Sequence, residues 1–212
     1  MRVVICTLWL FLSAFFAEGQ DCTLRKDRDS IRVYTCHNEG SKFKLIKAEF
    51  TVEASMSQLV AIFLDAEFYT QWQYNTIKAK LVKKINDHEI IYYSEIAAPW
   101  PVSNRDMVSQ LKVEQDARTK EVVITAKGIP DYLPAKKGIV RVPMSQSKWT
   151  INKAGPNKLK VAYVIQIDPG GAVPAWMVNL VCADAPYQSF KNLRQKVKTS
   201  RFSDAIIARI EN

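Results

Sequence analysis

The chain is 212 residues long, with 48% hydrophobic and 24% charged residues and a formal net charge of +9. That is enough for one large folding unit with its own core, and the composition excludes a disordered, collagenous or membrane-filled chain. The basic balance admits nucleic acid, anionic lipid headgroups or an acidic partner, and it equally describes solubilising lysines scattered over a surface.

Residues 1–19 read as a secretory signal peptide. Met1-Arg2 is followed by an apolar run from Val3 to Phe16 and by Ala17-Glu18-Gly19, with small residues at −3 and −1 of a cleavage site. The run is short for a membrane span. Cleavage after Gly19 leaves one unit over 20–212, with no linker, repeat or low-complexity stretch, in the periplasm or outside the cell. Cys6 departs with the signal. The stretch from Cys22 to Cys36 reads as a hairpin turning near Arg28-Asp29, which sets Cys22 opposite Cys36. Export makes a disulfide the simplest reading, with two small buried side chains as the plainer one. Cys182 lies in an apolar helical run and reads as a buried thiol.

Alternation predicts strands over Lys44 to Val52, Ile77 to Ile85, Glu89 to Ala97, Met107 to Val113 and Glu121 to Ala126. Gly138 to Val142 and Lys148 to Ile151 read as one long or bulged strand, and Leu159 to Ile167 as the last. Between them, Ser55 caps a helix carrying Met56, Leu59, Val60 and Phe63 at helical spacing, and a second short helix covers Asp65 to Trp72. From Pro174 an amphipathic run extends through Met177, Leu180, Tyr187, Phe190, Leu193 and Val197. It reads as one long helix with a kink at Pro186. The order implies an α+β domain, a curved antiparallel sheet packed on a C-terminal helix.

Familiar catalytic patterns are missing. His37 and His88 sit beside turns without ligands at metal spacing, so no metal or other cofactor is expected. No serine or cysteine stands in a nucleophile elbow. Asp168-Pro169-Gly170-Gly171 is turn chemistry without the lysine of a phosphate loop. No aromatic-and-basic stretch suggests nucleic acid.

One stretch stands out: PWPVSNRDMV, from Pro99 to Val108. Glu95 ends one strand and Arg105 starts the next. Counted from a loop centred near Trp100 they stand opposite each other, on a face shared with Tyr93, Ile91, Met107 and Ser109. An ion pair on an apolar face costs desolvation unless the two charges neutralise each other. Arginine also grips phosphate or carboxylate with two donors. Either Arg105 recognises the polar head of an apolar ligand, with Glu95 holding it, or the two form a structural ion pair at the sheet rim.

Tyr93 to Val108, Gly138-Ile-Val-Arg141 and Asp168 to Asn179 (DPGGAVPAWMVN) resemble the START (steroidogenic-acute-regulatory-related lipid transfer) domain, and the matches run in order through the chain. The phosphatidylcholine-transfer type is the nearest flavour. The resemblance implies a helix-grip fold: a curved antiparallel sheet wrapped around a long C-terminal helix, with an internal lipid tunnel. It places the family's charged pair on Glu95 and Arg105, the arginine meeting a lipid phosphate, and a glutamine of that type on Gln146. With Tyr93, Tyr163 and Met177 these complete the candidate ligand-binding set. Ala97 and Ala98 stand where bulkier residues can contact a headgroup, a departure that bears on choline. The gate would be the C-terminal helix, hinged at Gly170-Gly171 and Pro174. Trp72, Trp149 and Trp176 read as core. Trp100, on a proline-braced loop tip, is either a membrane contact or a packed anchor.

The implied function is non-enzymatic binding and transfer of one lipid or other hydrophobic molecule by a monomer in transient contact with a membrane. The rivals are a helix-grip enzyme of the polyketide cyclase or aromatase type, with Glu95, Tyr93 or Tyr163 as its acid or base, and a ligand-sensing module.

Overall fold

The computed structural model describes residues 21–198 and 201–212. The signal-peptide expectation for 1–19 lies outside the described residues, as do the side chains of Met177, Leu180 and Val181. The chain opens with a hairpin, β1 (Cys22–Arg28) and β2 (Ile31–Cys36). Asp29 and Ser30 make its two-residue turn, both at left-handed φ of 53° and 54°, the geometry that matches the twist of paired strands. A bulge between Leu24 and Lys26 shifts the register by one and brings Cys22 opposite Cys36. The two are joined in a disulfide.

β3 (Leu45–Val52) alternates, burying Ile46, Ala48, Phe50 and Val52. Ser55 caps α1 (Met56–Leu64), its hydroxyl accepting from the Gln58 amide at 3.1 Å. Every α1 residue but Leu64 is buried, which explains a helix with no charged side chain. A 3-10 turn (Ala66–Phe68) and α2 (Tyr69–Trp72) lead into β4 (Thr76–Asn86), β5 (Glu89–Ile96), β6 (Arg105–Gln115) and β7 (Val122–Gly128).

Two expectations are corrected in the second half. The segment from Gly138 to Ile151 is not one strand. β8 (Val140–Arg141) pairs in parallel with the start of β6, and β9 (Met144–Gly155) pairs with β7 and β10 (Lys158–Asp168). Pro143 separates them, since proline offers no donor to a ladder. The C-terminal run is two helices, α3 (Ala175–Val181) and α4 (Asp184–Lys198). Pro186 would clash with the carbonyl four residues back, at Cys182, in a continuous helix. The chain breaks at Cys182-Ala183 and Pro186 falls in the first turn of α4, where its missing amide proton is harmless.

Among the described residues ten strands form one sheet, ordered β1-β2-β3-β10-β9-β7-β6-β5-β4, with β8 beside β6. Its concave face grips α4. Phe190 stacks on Phe50 at 4.6 Å and meets Trp149 and Tyr163 edge-on at 5.3 Å; such pairs add about 0.5–1.5 kcal/mol each beyond burial. Arg194 of α4 donates to the Thr51, Asp29 and Ser30 carbonyls, and the Tyr187 hydroxyl donates to Asp29 at 2.6 Å. The helix is thereby clasped to the first hairpin. Residues 201–212 form no helix. They cross the lower end as a strap, with Arg201 paired to Asp65, Ile210 buried and Asn212 accepting from the Ser57 amide.

Candidate functional site

Strand parity decides which side chains meet the helix. Ile90 and Tyr92 of β5, Leu111 and Val113 of β6, Ile124 of β7 and Trp149 of β9 join the core with Phe190 and Leu193. Their neighbours Ile91, Tyr93 and Val108 form a separate cluster on the convex face, under Ile129 and Leu133.

The register between β5 and β6 corrects the expected charged pair. Glu95 stands opposite Asp106, and Arg105 opposite Ile96. A one-residue slip moves every side chain of a strand to the other face. Glu95 and Tyr93 therefore lie on the convex face, 3% and 2% exposed. Glu95 accepts from Asn104 at 3.2 Å and from the Tyr93 hydroxyl at 3.3 Å, and lies 3.6 Å from Lys78. Burial, then the Asp106 and Glu95 charges, push the Tyr93 hydroxyl far above its ordinary pKa, and the Lys136 ammonium sits 3.9 Å over its ring. Gln146 is also convex and exposed, opposite Lys127.

Arg105 does face inward. It is half-buried, and its guanidinium donates to the Ser103 carbonyl. It has no carboxylate within ion-pair distance among the described residues. Burial pulls its pKa below the usual value, leaving it a cation. It lies beside the turn that leads into α3: a Cβ built on Gly171 would be 3.9 Å from Arg105 Nη2. That turn packs tightly on β8. A Cβ on Gly170, whose φ is +66°, would meet Pro143 at 2.9 Å and the Arg141 carbonyl at 3.2 Å, so both crowding and φ require glycine there.

The concave face changes character along its length. At the lower end Val122, Ile151, Val161 and Phe50 lie side by side, and above them Ile124, Trp149, Tyr163 and Ala48. In the next row Ala126 and Ser147 replace the large residues between Leu111 and Ile165. Beyond it stand Ser94, Ser109 and Gly128. Large aromatic and aliphatic side chains fill the grip below; above, small residues alternate with Tyr92 and Met107 on the way to Arg105. Tyr163 forms part of the floor, its ring 4.2 Å from Trp149 and its hydroxyl pKa driven far up by burial. Met177 belongs to α3 by its backbone, its side chain lying outside the described residues.

At the open end two tryptophans reach solvent. Trp100, in the loop that ends at Arg105, is 93% exposed, and Trp176, at the start of α3, is 67% exposed. The expectation of Trp176 as core is corrected: a helix of seven residues at the rim has an outward side to fill. Trp72 and Trp149 are core. The sequence reading missed the buried pair of Asp106 and Arg141, 2.7 Å apart; an arginine in the otherwise apolar run from Ile139 to Val142 was the available signal. Among the described residues no group of three or more His, Cys, Asp or Glu could hold a metal ion.

The START domain model matches residues 6–201. The chain belongs to the START domain family. An uncharacterized protein of Pseudomonas aeruginosa is 31% identical over 194 residues, covering 92% of this chain and 95% of that one. The phosphatidylcholine transfer protein of Mus musculus is 28% identical over 165 residues, 76% of each chain. Among solved structures, a STAR-related lipid transfer protein fragment from Xanthomonas axonopodis superposes with a TM-score of 0.77 at 32% identity, covering 84% of this chain and 98% of the fragment. Human STARD10, at 21% identity and a TM-score of 0.74, shares the fold. The helix-grip architecture expected from the sequence is the one observed.

Proposed function

We propose that this START domain binds one lipid between its sheet and α3–α4 and carries it between membranes without chemical change. The observation that carries the reading is the concave face itself, which grips α4 with large side chains below and ends above at an inward-facing arginine that has no carboxylate partner among the described residues. Burying acyl chains there would gain about 25 cal/mol per Å² of apolar surface, and Arg105 would hold the polar end, with Tyr163 on the floor and Met177 of α3 in the lid. The relatives named for lipid transfer support the same reading.

The three groups considered for acid–base work favour a carrier over an enzyme. Glu95 and Tyr93 lie on the convex face, and Tyr163 is buried in the aromatic floor with its hydroxyl pKa far above neutrality. Trp100 and Trp176 would touch the bilayer interface, where amphipathic rings settle, and the Gly170-Gly171 turn would serve as the hinge of α3. We place the working protein in the periplasm or outside the cell, as a monomer of residues 20–212 released from a signal over 1–19. The Cys22–Cys36 disulfide supports export, because such bonds persist in oxidising compartments.

A vesicle-to-vesicle transfer assay with a fluorescent phospholipid tests the proposal. Transfer should scale with protein concentration and fall severalfold in Trp100→Ala with the fold intact. A rate indistinguishable from spontaneous exchange would refute carriage.

A further inference from the structure

Resting on that reading, we infer that the lipid held here carries a net negative head, a phosphate or carboxylate without a compensating cation, and that the site selects it over a zwitterionic headgroup. The inference starts from what Arg105 lacks. Its side chain is half-buried on the concave side, and among the described residues it meets no carboxylate; the Ser103 carbonyl is its side-chain hydrogen-bond acceptor. A guanidinium presents five donors in a planar fork suited to the two oxygens of phosphate or carboxylate. A partly desolvated charge without a counter-ion is unfavourable, and a ligand anion removes that penalty.

A second observation points to the same place. Ser94 is fully buried, and its hydroxyl has no hydrogen-bond partner. Ser94 pairs with Met107, and Ile96 with Arg105, so Ser94 and Arg105 are diagonal neighbours on one face. At that offset the backbones are about 7–8 Å apart, within reach of a long side chain. The Ser94 hydroxyl is sealed from solvent, so one ligand oxygen group would take the Arg105 fork and the Ser94 proton together once the side chains over it move aside.

The third observation concerns what a headgroup cation would meet. The nearby carboxylates are turned away: Glu95 and Asp106 face the convex side, where Glu95 is bound by Asn104 and Asp106 by Arg141. Asp168 accepts from the Gly170 amide in its own turn. The inward aromatic rings of Trp149 and Tyr163 are packed on each other and on Phe190 rather than forming a cage for a quaternary ammonium. A choline would bring a positive charge towards Arg105 with only its own phosphate, and no protein carboxylate or aromatic cage, to offset it, and such an unfavourable contact contributes to specificity.

The test incubates the folded, oxidised protein with phosphatidylcholine vesicles containing a minor share of phosphatidylglycerol of the same acyl chains. The protein is then re-isolated and its lipid counted by mass spectrometry. The expected result is phosphatidylglycerol enriched at least about tenfold over its share in the vesicle, equivalent to about 1.4 kcal/mol. The enrichment should vanish in Arg105→Gln and persist in Arg105→Lys, which keeps the charge. Each variant alters the net charge by at most one unit, so general attraction to the vesicle is nearly constant. If Arg105→Gln loses its fold, Ser94→Ala should lower the enrichment severalfold; an unchanged value contradicts the site. Bound lipid that follows vesicle composition, or favours phosphatidylcholine, overturns the inference and leaves lipid carriage standing. Displacement of the lipid by inorganic phosphate alone marks a free-anion site and also overturns it. A protein that takes up neither lipid overturns both readings.

Discussion

Asp106 and Arg141 form a two-pronged ion pair inside the protein, Nε to Oδ1 at 2.7 Å and Nη2 to Oδ2 at 3.2 Å. The Arg105-Asp106 dipeptide is thus divided between the two faces of β6. Arg105 looks towards the helices, and Asp106 looks out to hold Arg141. Arg141 also donates to the carbonyls of Pro130, Leu133 and Pro134, drawing the β7–β8 loop across the convex cluster of Ile91, Tyr93 and Val108. The parallel pairing of β8 with β6 then sets Val140 beneath the Gly170-Gly171 turn. The seat of the Gly170-Gly171 turn depends on an ion pair on the opposite face of the sheet.

Asp106→Ala should therefore destabilise strongly. It leaves the Arg141 charge nearly buried without its partner, a loss of about 3–5 kcal/mol. At about 2–4 °C per kcal/mol for a domain of this size, the melting temperature should fall by roughly 6 °C or more. The double variant Asp106→Leu/Arg141→Met should recover only part of that, because three carbonyls lose their donor. Calorimetry of the two proteins decides it.

Glu95→Gln should leave lipid retention and lipid class unchanged. The amide keeps the shape of the carboxylate, its oxygen still accepts from Asn104 while its NH2 can donate to the Tyr93 hydroxyl, and the side chain, with the Lys78 contact it gives up, is on the convex face. Lipid counting on the purified variant checks this. Loss of lipid there, with the fold intact, would mean that Glu95 reaches the ligand after all.

Much of this was legible in the sequence, because alternation and helical spacing are strong where one face is buried. The succession of strands along the chain, the Ser55 cap and the β1–β2 hairpin all came from such patterns, whereas their order in the sheet did not. What failed was counting across a loop. Residues 97–104 join β5 to β6, and placing the loop's centre at Trp100 instead of half a residue later exchanged the two faces, putting Glu95 and Tyr93 inside. The hairpin expectation survived a similar hazard, because the bulge after Leu24 restored the pairing of the two cysteines. β8 is two residues long and has no period to detect. Its partner lies 35 residues earlier, so the Asp106–Arg141 pair had no local signature. Trp176 and Gln146 were misplaced for a related reason, since composition does not reveal which side of a rim helix or an end of a strand meets solvent.

Breaking the Cys22–Cys36 bond should cost about 2–4 kcal/mol, the value for a loop of this length. The site is remote from Arg105, so the effect should be on stability and on the protection of β1, which has β2 as its strand partner. Urea unfolding with and without reductant measures the first, and amide exchange the second. Equal midpoints in the two conditions would show that the disulfide does not constrain the fold.

Acid should loosen α4 from the first hairpin. The Tyr187 hydroxyl, and then the Lys191, Arg28 and Arg194 charges, hold the Asp29 carboxyl below its ordinary value of 3.8. A depressed carboxylate contributes stability above its unfolded pKa and loses it as pH falls through the folded one. Asp29→Asn, which tolerates the same left-handed backbone, should therefore melt below the parent protein at neutral pH. The gap should begin to close near pH 4 and disappear at lower pH. A gap that is constant across that range would exclude the carboxylate as its source.

Native mass spectrometry of the protein purified from an exporting host, paired with lipid analysis of its extract, tests the central claim most directly. The account predicts one lipid per chain, with a phosphate- or carboxylate-bearing head, released on unfolding. A lipid-free chain that takes up none from vesicles, or a non-stoichiometric mixture following host abundance, would contradict it.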